Sequence, residues 1–167
     1  MSTRSCIARP IGDEWEGRYH HSDGYPTGLG DELWHLVQAW GVEMARTRLI
    51  DEHPAGWSSI LGADWSMPPG YRTRSNFDDL LGPRCYCHGD RAERENMIHS
   101  RDEENGEAPL FIEWVYVLGT LGLTVYAHEE GKGLLKSGVP AYRWRVVNMF
   151  PWDGEEPDWA AMEEATR

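Results

Sequence analysis

Phe111-Ile112-Glu113-Trp114-Val115-Tyr116-Val117-Leu118-Gly119-Thr120-Leu121-Gly122-Leu123-Thr124-Val125-Tyr126-Ala127-His128 reads as two extended runs on either side of a turn. β-Branched and aromatic residues crowd both runs, the composition of a pleated, part-buried surface. Gly119 and Gly122 bracket the bend with permissive backbone, so the stretch predicts a hairpin over 111–118 and 123–128. Further along, Tyr142 to Met149 predicts a third strand. Trp144 and Val146 fall on one of its faces, Arg143, Arg145 and Val147 on the other. Toward the N-terminus, Arg4-Ser5-Cys6-Ile7-Ala8 and the run from Trp15 to His21 flank turn-forming residues between Pro10 and Asp13. They predict a second hairpin.

One long helix stands between these sheet signals. Leu33, Leu36, Val37, Trp40 and Met44 form a single apolar stripe at helical spacing. Asp31 and Glu32 in the first turn, and Arg46 and Arg48 in the last, suit the helix dipole. Pro54 ends the helix by about Glu52 or His53. From Ala55 to Gly89 the pattern is irregular: a helical turn at Trp57–Leu61, a loop at Met67–Gly70, and a short capped helix from Asn76 to Leu81 closed by Gly82-Pro83. Residues 89–109 are strongly charged, and Asp102 to Glu107 reads as a solvated loop. The expected fold is α+β: an antiparallel sheet of about five strands, one main amphipathic helix packed on a face, irregular middle loops and an acidic C-terminal tail. Residues 1–152 form the single domain. Residues 153–167 are the acidic tail, where Pro157-Asp158 starts a short helix with Trp159 and Met162 on one side.

The chain has 167 residues, with 28 acidic side chains against 16 basic and a formal net charge of −12. This balance excludes a protein that coats DNA or RNA, because neutralising phosphates takes clustered Lys and Arg. No stretch reaches the roughly 18 apolar residues of a membrane span, and the N-terminus has no secretory h-region. Cys6, Cys85 and Cys87 cannot form an even disulfide framework, and Cys85 and Cys87 are too close for an unstrained bridge. Reduced thiols and a cytoplasmic location are therefore expected.

The segment Arg18-Tyr19-His20-His21-Ser22-Asp23-Gly24-Tyr25-Pro26-Thr27-Gly28-Leu29-Gly30 is the most distinctive in the chain. Together with Arg4-Ser5-Cys6-Ile7-Ala8 it resembles a group of small proteins of actinobacteria and their phages. Their N-termini carry a short R-S-x-I-A strand, a turn, an H-x-D-G-Y-P-x-G-x-G motif and a helix. The resemblance covers about the first 40 residues, with a weaker echo at Glu113–Val117 and Leu123–Tyr126; Ser22 stands where members commonly have Trp. It implies a source and a fold unit and transfers no catalytic residue.

A strand, a glycine-rich bend and a helix start are also the parts of a phosphate cradle. Asp31 and Glu32 oppose an anion there, and the glycines lack P-loop spacing and its Lys. Gly24 and Pro26 instead shape a tight turn, while Gly28 and Gly30 permit close packing. His20, His21 and Asp23 offer metal-ligating atoms, but neighbouring strand residues face opposite ways, so that set needs a ligand from elsewhere. Cys85-Tyr86-Cys87-His88 places two sulfurs on one side of an extended segment. His99, His20 or His21 would have to complete a zinc set; buried thiols are the alternative. No catalytic constellation or nucleophile motif is present, and no cofactor other than that zinc is expected.

The nine tryptophans are spread over every element. Trp40 and Trp114 suit the core. Trp57, Trp65, Trp152 and Trp159 lie in loops or tail, where an indole either folds back or anchors a partner. The expected docking surfaces are Asp23, Gly24, Tyr25, Pro26, Gly28 and Gly30, the loops with Trp57 and Trp65, and the tail with Trp152 and Trp159. The expected function is a non-enzymatic phage or actinobacterial accessory protein that modulates a host protein, for example one of a defence system. Its partner would be a host or phage protein with a basic or apolar groove, with no direct nucleic-acid or membrane binding. The alternatives are an acidic nucleic-acid mimic that blocks a DNA-binding protein, and a zinc- or ligand-binding enzyme using the His20–Asp23 and Cys85–His88 segments.

Overall fold

The computed structural model describes residues 3–70, 81–88, 95, 97–100, 112–134 and 140–166. Two strands open the chain, β1 (Ser5–Ile11) and β2 (Glu14–His20), paired antiparallel from Ser5↔His20 to Ile11↔Glu14. A helical run follows: a π-helical turn Pro26–Gly30, α1 (Asp31–Trp40), α2 (Val42–Arg46) and a second π-helical turn Thr47–Asp51. Then come β3 (Trp57–Ser59), β4 (Arg84–Cys85), β5 (Met97–His99), β6 (Trp114–Leu118), β7 (Gly122–Leu134), β8 (Pro140–Pro151) and α3 (Trp159–Thr166).

The fold is α+β, but its sheet is larger than five strands and is mixed. Eight strands associate in the order β4-β3-β2-β1-β6-β7-β8, with β5 on the outer edge of β2 beside β3. β1 pairs with β6 in parallel, Ser5 opposite Trp114 and Ala8 opposite Val117, and β2 pairs with β3 in parallel at His20↔Trp57. Parallel neighbours need a crossover, and the run 26–51 lies between β2 and β3 in the chain. Trp57–Leu61, expected as a helical turn, is extended in its first part because Trp57 joins β2 on one side and Cys85 on the other. The expected helix at 76–81 and the solvated loop at 102–107 lie outside the described residues, apart from Leu81, which is exposed.

The helix predicted as one piece is interrupted. Gly41 takes φ 83°, a value that L side chains rarely adopt, and splits α1 from α2. The helical run still ends at Asp51, before Pro54. α1 buries Leu33, Trp34, Leu36 and Val37, each side chain contributing about 1.5–3 kcal/mol on leaving water. Arg46 does more than complement a dipole: its Nε donates to the Leu118 carbonyl at 2.7 Å, tying α2 to the β6–β7 turn.

The period-2 alternation of the central strands sorts the core onto two faces. Ile7, Trp114, Tyr116, Leu118, Leu123 and Val125 meet the helical layer. Cys6, Ala8, Val115 and Val117 turn to the other face, where they pack with Trp15, Ile98 and Ile112. All five residues of β6 are buried, as a strand covered on both faces requires. In β8 the register shifts opposite Val125 and Tyr126. Val147 thereby reaches the helical-side core, Trp144 packs on the opposite cluster, and Val146 is left exposed.

The tail expected at 153–167 docks on the body. Asp158 Oδ1 accepts from the Ala161 amide at 3.0 Å, an N-cap that starts α3. Trp159 and Met162 point into the helical-side core, on the one side that their spacing predicts.

Candidate functional site

Two corners of the fold gather the residues singled out by sequence, and they differ in how their polar groups are used. The first is the glycine-rich bend after β2. Asp23 sits at φ 55°, a left-handed conformation that Asp tolerates. Its carbonyl accepts from Leu29 N at 3.0 Å, and the Gly24 amide donates to Thr3 O at 2.8 Å. Tyr116, fully buried beneath, donates its hydroxyl to Gly24 O at 2.7 Å. A Cβ on Gly30 would lie 3.1 Å from the rings of both Trp159 and Tyr116, so the close packing expected of that glycine is present. Gly24, Pro26 and Gly28 are buried within the bend, while Asp23 is exposed and Tyr25 half-buried.

No phosphate cradle forms there. The helical run starts at Pro26, so the Asp31 amide is already bonded to the carbonyls of Gly28 and Pro26. The anion at this helix start is the protein's own: Glu163 Oε2 accepts from Thr27 N at 3.2 Å and Thr27 Oγ1 at 2.7 Å. Beside this contact opens a cavity of about 650 Å³ lined by Tyr25, Thr27, Glu113, Trp114, His128 and Glu163, among others, with no Lys or Arg among the described residues of its wall. The charge of Asp23, followed by partial burial and the Asp23 hydrogen bond, holds the Tyr25 phenol above its usual value.

His20, His21 and Asp23 do not converge as a metal set. His20 is fully buried and its Nε2 accepts from the Ile60 amide at 3.1 Å, whereas the His21 ring meets Tyr19 Oη at 2.7 Å and Asp23 takes the Tyr25 hydroxyl at 3.3 Å. Burial, with smaller contributions from His21 and Arg84, drops the His20 pKa to about 3, so it is neutral at physiological pH.

The second corner joins the end of the helical run to β3 and β4. His53 O accepts from the Gly56 amide at 3.1 Å, and Gly56 O in turn accepts from Tyr86 N at 3.1 Å, bringing the 85–88 segment alongside. Trp57 lies underneath with its ring 4.3 Å from that of His53 and its indole N–H on Leu49 O at 2.9 Å. Here four side chains converge. Cys85 Sγ is 3.1 Å and Cys87 Sγ 3.2 Å from His88 Nδ1, and Cys87 Sγ is 3.6 Å from His53 Nδ1. One ligating atom from each of the four residues lies within 4.8 Å of all the others. His53 and Cys85 are buried, Cys87 is half-buried and His88 exposed. A cavity of about 430 Å³, lined by Met44, Arg48, Glu52 and Trp65 among others, opens against His53 and His88. Burial and the neighbouring Cys87 push the Cys85 thiol up to about 12, and burial followed by His88 brings His53 down to about 4.

Sequence reasoning found three members of this cluster and missed His53. The expected completing residues are elsewhere: His99 lies on β5 near Glu16, His20 inside β2, and His21 beside Tyr19. His53 lies in no motif, two residues past the end of the helical run, and the one local signal is its position next to the breaker Pro54. Among the described residues a second group, Asp31, His35 and Glu156, is close enough to share an ion, but two of its members are exposed and it forms ordinary surface pairs.

The loop and tail tryptophans fold back onto the body. Trp57 is fully buried and Trp159 nearly so, while Trp65 and Trp152 are half-buried and packed on the core. Trp152 also anchors the β6–β7 turn through its indole N–H on Gly119 O at 2.7 Å. Trp57 and Trp159 thus supply core area and leave no indole face for a partner. Compared with family models, with curated proteins and with solved structures, the chain matches none.

Proposed function

We propose that this is a non-enzymatic binding protein that engages a basic partner protein through the acidic cavity at its glycine-rich bend. The observation that carries this reading is the wall of that cavity: Glu113 and Glu163 face it, and Tyr25 and Trp114 supply aromatic surface beside them. Carboxylates beside aromatic faces recognise an ammonium or guanidinium group by charge and by cation–π attraction. The net charge of −12 adds long-range steering toward a basic surface. Glu163 is held by Thr27, so a cation would meet a pre-oriented carboxylate. The resemblance of the first 40 residues to proteins of actinobacteria and their phages supports an accessory role directed at a host protein.

Titration with blocked arginine amide and with a short oligo-lysine peptide, followed by NMR, tests the cavity. Shifts centred on Tyr25, Trp114 and Thr27 that weaken as salt is raised are expected. The double substitution Glu113→Gln and Glu163→Gln keeps the acceptor for Thr27 and should abolish them. Titrations that leave these resonances unmoved, or that are indifferent to the double substitution, overturn the reading.

A further inference from the structure

We propose that His53, Cys85, Cys87 and His88 form a zinc site of structural type, independent of the cavity at the glycine-rich bend. A tetrahedral zinc with bonds of about 2.3 Å to sulfur and about 2.0–2.1 Å to nitrogen holds its ligands roughly 3.3–3.8 Å apart. Of the three sulfur–nitrogen distances, 3.6 Å lies within that range and 3.1 and 3.2 Å fall just short of it, and they come from residues brought together by two separate stretches of chain. Two thiolates and two imidazoles are the donor set that a borderline-soft divalent ion selects. Four ligands from the protein complete the tetrahedron, which leaves no open position for a substrate water and assigns the metal to architecture.

Charge and position agree with that assignment. Binding expels one proton from each thiol to solvent, and two thiolates then neutralise the dication, so a partly buried corner gains no net charge. Without an ion, the cluster holds two thiols against two imidazoles with only weak S–H donors between them. The site would fasten the segment after β4 to the end of the helical run, beside the Tyr86–Gly56 backbone hydrogen bond and the pairing of Trp57 with Cys85. It thus closes a loop of more than thirty residues between His53 and Cys85. The 430 Å³ cavity against His53 and His88 gives an ion a path in.

The test uses the full chain purified without chelator or histidine-tag metal resin. One equivalent of tightly held zinc is expected by elemental analysis. Replacement by cobalt should give the intense visible bands of a tetrahedral ion and a thiolate-to-cobalt charge-transfer band. A strong chelator should lower the melting temperature by roughly 10 °C. His53→Ala should weaken cobalt binding by at least about tenfold and shift its bands, and Cys87→Ser should reduce the charge-transfer band. Zinc below about half an equivalent together with no cobalt spectrum overturns the site. A cobalt spectrum indifferent to His53→Ala overturns this ligand set. Rapid alkylation of Cys87 in the purified protein would show free thiols and overturn it as well. All of these readouts are made on the isolated protein. They therefore fail or succeed separately from the Glu113 and Glu163 substitutions that test the cavity.

Discussion

The bend at Asp23–Gly30 and the corner at His53–His88 are both polar segments set against a buried aromatic ring, yet they are closed in different ways. At the bend, Tyr116 takes the Gly24 carbonyl, Thr3 takes the Gly24 amide and Glu163 takes Thr27, so the chain satisfies itself. At the corner, the four converging side chains are soft donors facing one another, with Trp57 as the floor. A segment rich in Gly, Pro and Tyr therefore proves to be a packing knot that borders a cavity. A less conspicuous segment gathers four potential ligands within 4.8 Å of one another. The difference lies in what each polar atom has for a partner, and residue type alone does not reveal it.

Substitutions can break this contrast, and the largest effect belongs to the corner. Trp57→Ala removes a fully buried indole and should cost about 3–5 kcal/mol in denaturant unfolding. It should also loosen the His53 ring and lower bound metal, while the amide protection of Leu29 in the bend falls only with global stability. Acid comes next. His20, with a folded pKa of about 3 against a usual 6.5, binds fewer protons folded than unfolded between those values. Its contribution is therefore complete above pH 6.5 and is lost as pH falls toward 3, roughly 2 kcal/mol of it by pH 5. His20→Gln keeps an acceptor for the Ile60 amide and should flatten that part of the stability–pH profile.

On the bend itself, Tyr116→Phe leaves a buried Gly24 carbonyl without its donor and should cost about 1–3 kcal/mol. Hydrogen exchange should quicken at Leu29 and leave Tyr86 near its wild-type protection. Glu163→Ala strips the cap from Thr27 and should cost about 0.5–1.5 kcal/mol, read as a small shift in melting temperature. Equal loosening of both corners by either substitution would show that they form one cooperative unit and that the contrast is only geometric.

Much of the architecture is legible in local pattern. The runs around Gly119–Gly122 and Pro10–Asp13 announce both hairpins, and the Leu33–Val37 stripe announces α1, because period and turn chemistry are properties of neighbouring residues. The parallel pairing of β1 with β6 is not legible. Ile7 and Tyr116 alternate in the same way whichever direction the partner runs, so nothing local specifies it. β3 and β5, at three residues each, are too short to show a period. The same distinction governs the sites. Cys85, Cys87 and His88 stand out because they are nearly consecutive, whereas His53 is delivered by the fold from the far side of Pro54. The aromatic docking surface anticipated from loop tryptophans fails for Trp57 and Trp159 because indoles outside regular elements are still drawn into the nearest apolar layer.

The parallel seam between β1 and β6 also carries a consequence for the order in which the molecule is made. Ser5 and Trp114 leave the ribosome more than a hundred residues apart, so the N-terminal hairpin must wait with one edge of β1 unpaired while the helical layer is synthesised. Contacts of such long sequence separation make for slow folding, and closing this seam is the step expected to limit the rate. The nascent chain is consequently most exposed to edge-to-edge association in the interval before β6 emerges.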